Sequence, residues 1–172
     1  GADMVLAAWK RRPATLFPGV PVMFDRIVTR ALATGVDLSS CKIAVCGAAA
    51  NPRTVAESWE KATGGVIIEG YGMTETSPIV LGNPISPERR AGALGVPYPS
   101  TDVRVIDPDD PDRDVAPGQI GELIVRGPQV FTGYWENPEE TEAVMLPGGW
   151  LRTGDLVRQE EDGFYVIADR RK

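Results

Sequence analysis

The sequence predicts an α/β layer, a mainly parallel sheet with helices, followed by a smaller and mostly antiparallel β lobe with a distorted, barrel-like character. Two observations carry this. Up to residue 78, apolar strand-like runs at 15–17, 43–46 and 66–69 alternate with segments of helical periodicity, as βαβ units do. Beyond residue 78 the runs at 102–106 and 122–126 alternate polar and apolar residues, the pattern of half-buried antiparallel strands. On these grounds the chain divides into an α/β portion over 1–95, a β-rich lobe over 96–168 and a terminal segment over 169–172.

Each element has a local reason. Residues 2–12 place Met4, Val5, Ala8 and Trp9 on one face and end in Lys10-Arg11-Arg12 before Pro13; cations in a last turn suit the helix dipole. Pro21 opens a second helix, with Phe24, Ile27, Val28, Ala31 and Leu32 at helical spacing and Gly35 as its stop. Asn51 and Pro52 read as N-cap and first residue of a third helix, which turns Val55, Ala56 and Trp59 inward and ends near Gly64-Gly65. In the second half, 108–118 reads as an Asp- and Pro-rich surface loop. Asn137-Pro138-Glu139-Glu140 reads as a capped helix start, and 155–158 and 164–168 as strands.

Composition narrows the chemistry. The 172 residues are 42% apolar, a globular composition. A net charge of −6 argues against nucleic acid or an anionic membrane as the main partner. There is no histidine, so Ser–His and Cys–His nucleophiles and imidazole metal sites are excluded. Cys41 and Cys46 read as small buried apolar residues, which fits a reducing, cytoplasmic setting. No apolar run reaches transmembrane length; oligomeric state is not legible.

The stretch EGYGMTETSP at 69–78 follows an apolar strand. Ligands on parallel α/β sheets bind beyond the carboxyl ends of strands, and a second such end is Cys46-Gly47-Ala48-Ala49. Small residues there let a flat ring approach the backbone. Tyr71 offers a ring to stack on a base or ribose, Thr74 a neutral donor for a phosphate oxygen, and Glu75 a hard oxygen ligand of the kind Mg²⁺ takes beside phosphates. Asp155, after Thr153-Gly154, can accept hydrogen bonds from two ribose hydroxyls. The competing reading makes the glycines and Asp155 turn residues and buries Tyr71 in the core. Phe131, Tyr134 and Trp135 read as core of the β lobe, and Arg89-Arg90 as an exposed loop pair.

Taken in order, GYGMTETSP at 70–78, GELIVRGPQVFTGYWENPEET at 121–141, GGWLRTGDL at 148–156 and FYVIADRRK at 164–172 resemble the adenylate-forming enzymes, specifically the long- or medium-chain acyl-CoA synthetases. The resemblance implies part of the large N-terminal domain of a fatty acid–CoA ligase. It implies Tyr71 on adenine, Thr74 on the α-phosphate, Glu75 on Mg²⁺ and Asp155 on the ribose, with Gly72 and Met73 in the same nucleotide-binding stretch. Gly47, Ala48, Ala49, Glu69 and Gly70 would line the adenine and acyl walls, Arg170 and Lys172 would reach the ribose and phosphate edge, and Asp169 would be the hinge of a C-terminal domain. ATP, Mg²⁺, coenzyme A and a fatty acid or similar carboxylate are the implied cofactors and partners, in the cytoplasm or peripheral to a membrane.

The sequence lacks the family's Ser/Thr/Gly-rich phosphate loop and its C-terminal adenylation lysine. It is therefore expected to be an internal fragment of a longer enzyme, binding nucleotide weakly and catalysing nothing alone. Within the family, aryl-CoA ligases, luciferase-like enzymes and amino-acid adenylation domains are the rivals; Gly70 and Met73 favour acyl-CoA ligases. From another class, a non-catalytic interaction module would use the same glycines only as turns.

Overall fold

The computed structural model describes residues 1–49 and 51–170, the last without its side chain. The chain forms two compact units. The first comprises 1–70 and 83–92, the second 71–82 and 93–172. The contacts thus divide at Gly70/Tyr71, with a return to the first unit at 83–92, and not at a single boundary near residue 95.

In the first unit, β1 (Leu16–Gly19), β2 (Ile43–Cys46) and β3 (Val66–Gly72) run parallel, with Leu16 opposite Ile43 and Ile43 opposite Val66. The connections are α2 (Pro21–Thr34) and α3 (Arg53–Thr63), and α1 (Ala2–Arg11) precedes them. Helices and sheet bury Leu6, Trp9, Phe24, Ile27, Val28, Ala31, Ala44, Cys46, Trp59 and Ile67 in one core. Met4 and Leu32, expected inward, are each 75% exposed, because the buried face of α1 runs through Val5, Leu6 and Trp9 and that of α2 ends at Ala31. Aromatic rings dominate the centre, with Phe24 and Trp59 edge-on at 4.8 Å and Phe17 stacked on Trp59 at 5.9 Å. Gly35 and Gly64 close α2 and α3 in the left-handed region, a conformation that glycine adopts without a Cβ clash.

The start of α3 differs from the expectation. Pro52 is the N-cap and no side chain caps the helix. Asn51 is buried and its backbone N–H donates to Glu69 Oε2 at 3.4 Å. The Glu69 carboxylate also accepts the Gly92 N–H on Oε1 at 2.7 Å, while the Asn83 N–H donates to the Glu69 carbonyl at 2.9 Å. Glu69 thereby ties the 83–92 segment and the approach to α3 to β3, and burial pushes its carboxyl pKa up. Arg89 is no exposed loop residue, since its guanidinium bonds Glu60 Oε1 at 2.9 Å. With Arg90, Asn51 and Glu69 it lines a cavity of about 330 Å³. Both cysteines are free and buried; desolvation and then the nearby Glu69 charge push Cys46 up to about 12.

The second unit contains a 3₁₀ turn at Thr74–Thr76, a short antiparallel pair β4 (Ile79–Gly82) and β5 (Val96–Pro97), and a larger antiparallel sheet. That sheet orders β11 (Tyr165–Arg170), β10 (Trp150–Gln159), β8 (Ile120–Arg126), β6 (Asp102–Asp107) and β7 (Asp110–Asp114), with β9 (Met145–Leu146) also on β10. The expected 108–118 loop is partly this hairpin strand β7, whose Asp114 and Arg113 pair with Arg104 and Asp107 of β6. Charges on such an edge discourage further strand pairing. Strand β8 is not half-buried: it lies between two strands and 121–125 are all buried. α4 (Pro138–Val144) starts as expected, with Asn137 accepting the Glu140 N–H.

Two outcomes follow for the first unit. Trp59→Ala, at 0% exposure and in ring contact with Trp9, Phe17 and Phe24, is expected to cost about 3–5 kcal/mol in urea unfolding. Glu69 has a folded pKa above its unfolded value, so its stabilising contribution is complete below the unfolded pKa and is lost as pH rises through the folded one. Glu69→Gln should therefore gain stability relative to wild type as pH is raised from about 3 to about 8, measured by chemical denaturation at each pH; a difference independent of pH would refute it.

Candidate functional site

Strand β3 does not end at the glycines. It continues through Gly70-Tyr71-Gly72, and Val66 to Gly70 belong to the first unit while Tyr71 and Gly72 begin the second. Gly72 is required sterically: a Cβ there would lie 1.7 Å from the Pro78 carbonyl oxygen. Its role is a close backbone approach and not a turn.

In the first unit, Gly47, Ala48 and Ala49 follow β2, and the Gly47 N–H donates to the Gly19 carbonyl at 3.1 Å. A Cβ on Gly47 would stand 3.6 Å from the Gly70 carbonyl oxygen, so these two predicted residues are neighbours. Ala48 has φ of 65°, a left-handed conformation that costs an L-residue about 1–2 kcal/mol. Strain of this kind concentrates at functional loops. Ala48 and Ala49 are exposed, whereas Gly47, Glu69 and Gly70 are half-buried.

In the second unit, the two threonines of the motif have separate tasks. Thr76 is fully buried and holds the turn: its Oγ1 accepts the Met73 N–H at 3.0 Å and is 2.9 Å from the Met73 and Pro78 carbonyl oxygens. Thr74 is exposed, and its hydroxyl makes no hydrogen bond among the described residues. Glu75 is half-buried; Oε1 accepts the Tyr134 hydroxyl at 2.8 Å, and Oε2 accepts no hydrogen bond among the described residues. Met73 is half-buried and packs against the unit's core.

Asp155 is 8% exposed and accepts the Tyr71 hydroxyl on Oδ2 at 2.6 Å. These two predicted residues, 84 positions apart, are brought into direct contact. Asp155 does not follow a turn but lies inside β10, where pairing with β8 is interrupted between Arg152 and Leu156. The interruption is filled by side chains. Thr153 Oγ1 donates to the Leu123 carbonyl at 2.7 Å and accepts the Asp155 N–H at 3.1 Å, and Glu122 Oε1 accepts the Gly154 N–H at 3.3 Å. Gly154 has φ of 72°, where glycine avoids the strain. Glu122 is 2% exposed and is held by the Arg152 guanidinium, whose Nε lies 3.1 Å from Oε2.

Glu122, Arg152, Thr153 and Tyr134 escaped the sequence reading as site residues. The polar residues inside the otherwise apolar β8 and β10 were the available signal. The aromatic group expected in the core is split: Phe131 packs against the core, Tyr134 is 37% exposed and Trp135 is 89% exposed. Asp169 lies within β11 opposite Leu156. Arg170 ends that strand with a side chain outside the described set, and Lys172 lies outside the described residues.

Among the described residues no three His, Cys, Asp or Glu side chains cluster as a metal cage. A single carboxylate with one oxygen held and one open suits Mg²⁺, which completes its shell with phosphate oxygens and water. Glu75 therefore fits such an ion bound with a nucleotide. Among the described residues no helix is long and apolar enough to cross a membrane.

Comparison with known proteins shows the family of this chain. The chain is 46% identical over 162 residues to a long-chain-fatty-acid–CoA ligase of Yersinia pestis, covering 94% of this chain and 28% of that protein. It is 45% identical over 163 residues to the Bacillus subtilis protein of the same name, covering 95% and 29%. ATP-bound MatB from Rhodopseudomonas palustris superposes with a TM-score of 0.84 at 33% identity, over 99% of this chain and 33% of that one. The chain thus spans under a third of the length of these curated relatives. The profile described as AMP-binding enzyme matches residues 2–135, and the chain belongs to the AMP-binding enzyme family.

Proposed function

We propose that the protein containing this chain activates a fatty acid with ATP as an acyl-adenylate and transfers the acyl group to coenzyme A. The observation that supports this best is the Thr74–Glu75 turn: its Thr74 hydroxyl and Glu75 Oε2 have no hydrogen-bond partner among the described residues, while Tyr71, three residues before Thr74, bonds Asp155. A fold-only use of the motif needs Thr76 and Gly72, and leaves Thr74 and Glu75 Oε2 with nothing to bind.

The chemistry needs no histidine. A fatty acid carboxylate is ionised at neutral pH and attacks the α-phosphorus of ATP directly, breaking the bond to pyrophosphate. The coenzyme A thiolate then attacks the acyl carbonyl and AMP leaves with the bonding electrons. Catalysis is positioning and charge stabilisation. Thr74 donates to an α-phosphate oxygen, Glu75 offers Oε2 to Mg²⁺, Tyr71 stacks on the base, and Asp155 accepts from the ribose hydroxyls. Mg²⁺, when bound, neutralises phosphate charge. Gly72 and Met73 set the backbone between base and phosphate. In the first unit, Gly47, Ala48, Ala49, Glu69 and Gly70 line the adenine and acyl walls. Arg170 and Lys172 serve the ribose and phosphate edge, and Asp169 is the hinge. The chain alone binds nucleotide weakly and is inactive, and the setting is cytoplasmic.

Glu75→Ala in the full-length enzyme should slow ATP–pyrophosphate exchange about 10²–10³-fold, whereas thioester formation from a supplied acyl-adenylate should change far less. Exchange within about twofold of wild type would remove the role given to Glu75. For the chain alone, a backbone NMR titration with AMP should move resonances at 47–49, 69–75 and 155 and lose those shifts in Tyr71→Ala. Shifts elsewhere, or shifts that survive the substitution, would count against the nucleotide wall.

A further inference from the structure

The segment after β8 is fastened to the Thr74–Thr76 turn at two points. The Phe131 N–H donates to the Glu75 carbonyl at 2.8 Å, and the Tyr134 hydroxyl donates to Glu75 Oε1 at 2.8 Å. The Tyr134 ring is itself held. Phe131 meets it edge to face at 4.8 Å, and its backbone N–H donates to Thr141 Oγ1 at 2.9 Å. The Thr141 hydroxyl donates in turn to the Asn137 carbonyl at 2.8 Å, and Asn137 Oδ1 accepts the Glu140 N–H at the start of α4. A phenol that is 37% exposed is thus anchored by a ring, a backbone bond and a helix start. It also borders a cavity of about 400 Å³ with Met73, Arg152 and Gly154.

We propose, resting on the reading of Glu75 as the metal carboxylate, that Tyr134 is a positioning residue: its hydroxyl locks Glu75 Oε1 so that Oε2 alone meets a divalent cation bound with nucleotide phosphate. An unheld glutamate samples several rotamers, and binding must then order it. With Oε1 engaged, the carboxylate offers one lone oxygen in a fixed direction. That geometry suits the octahedral shell of Mg²⁺ and leaves its remaining positions to phosphate and water.

The test compares full-length wild type, Tyr134→Phe, Glu75→Gln and the double variant. Mn²⁺ binding in the presence of ATP is measured by electron paramagnetic resonance, and ATP–pyrophosphate exchange is measured against free Mg²⁺. Tyr134→Phe removes one hydroxyl and should weaken Mn²⁺ binding and raise half-saturating Mg²⁺ about tenfold, with kcat at saturating Mg²⁺ changed less than about threefold. In the Glu75→Gln background the same change should add nothing, because a purely structural loss would add. Urea unfolding and circular dichroism check that Tyr134→Phe folds as wild type does. Metal affinity that falls in Glu75→Gln and not in Tyr134→Phe overturns the proposal, and this outcome leaves the role of Glu75 standing. Wild type without metal-dependent exchange fails both readings together.

Discussion

Glu122 sits at 2% exposure in the middle of the central strand β8, where an ionised carboxylate would be prohibitive without partners. Arg152 from β10 supplies the countercharge, and its Nη2 also donates to the Pro108 carbonyl at 3.0 Å. The Gly154 N–H supplies a further donor. Such a buried pair adds little net stability, but removing one partner strands the other charge in the interior. What it achieves here is geometric. The β8–β10 ladder is broken between Arg152 and Leu156, and Glu122 with Thr153 satisfies the backbone groups that the break exposes. Asp155 is consequently fixed at a position from which its carboxylate meets the Tyr71 hydroxyl.

The same division of labour recurs at the Thr74–Thr76 turn. Thr76, wholly buried, uses its hydroxyl to close the turn, and Gly72 admits the Pro78 carbonyl where any Cβ would collide. With the turn secured by these residues, the Thr74 hydroxyl and Glu75 Oε2 make no hydrogen bond among the described residues. The proposed phosphate chemistry asks for that arrangement, because donors and charges aimed at a ligand must be held by something other than themselves. The 3₁₀ turn is too short to hold a glutamate side chain, and the phenol of Tyr134 provides the missing constraint.

In the first unit the organising element is aromatic packing. Trp9, Phe17, Phe24 and Trp59 interlock around the sheet, and helical periodicity made most of that face legible. Leu32 extended the same spacing by one residue, yet is 75% exposed because the face of α2 turns away after Ala31. Asn51 illustrates a different failure. As a residue type it is a strong N-cap, but Glu69 draws its backbone N–H, and Pro52 takes the cap position instead. A tertiary carboxylate outbid the local preference, which no window of neighbouring residues reveals.

The sequence by itself determined the alternation of strands and helices, the change to antiparallel strands after residue 78, and the helix stops at Gly35 and Gly64. These follow from periodicity, backbone freedom and side-chain chemistry, all of which act over a few residues. Tertiary structure alone decided that β3 runs through its glycines, that Glu122 is buried, that the Phe131–Trp135 segment is only partly core, and that Tyr134 reaches Glu75 across 59 positions. The physical reason is separation along the chain. A hydrogen bond or ion pair between distant residues leaves no periodic trace in either segment, and only folding brings donor and acceptor within 3 Å.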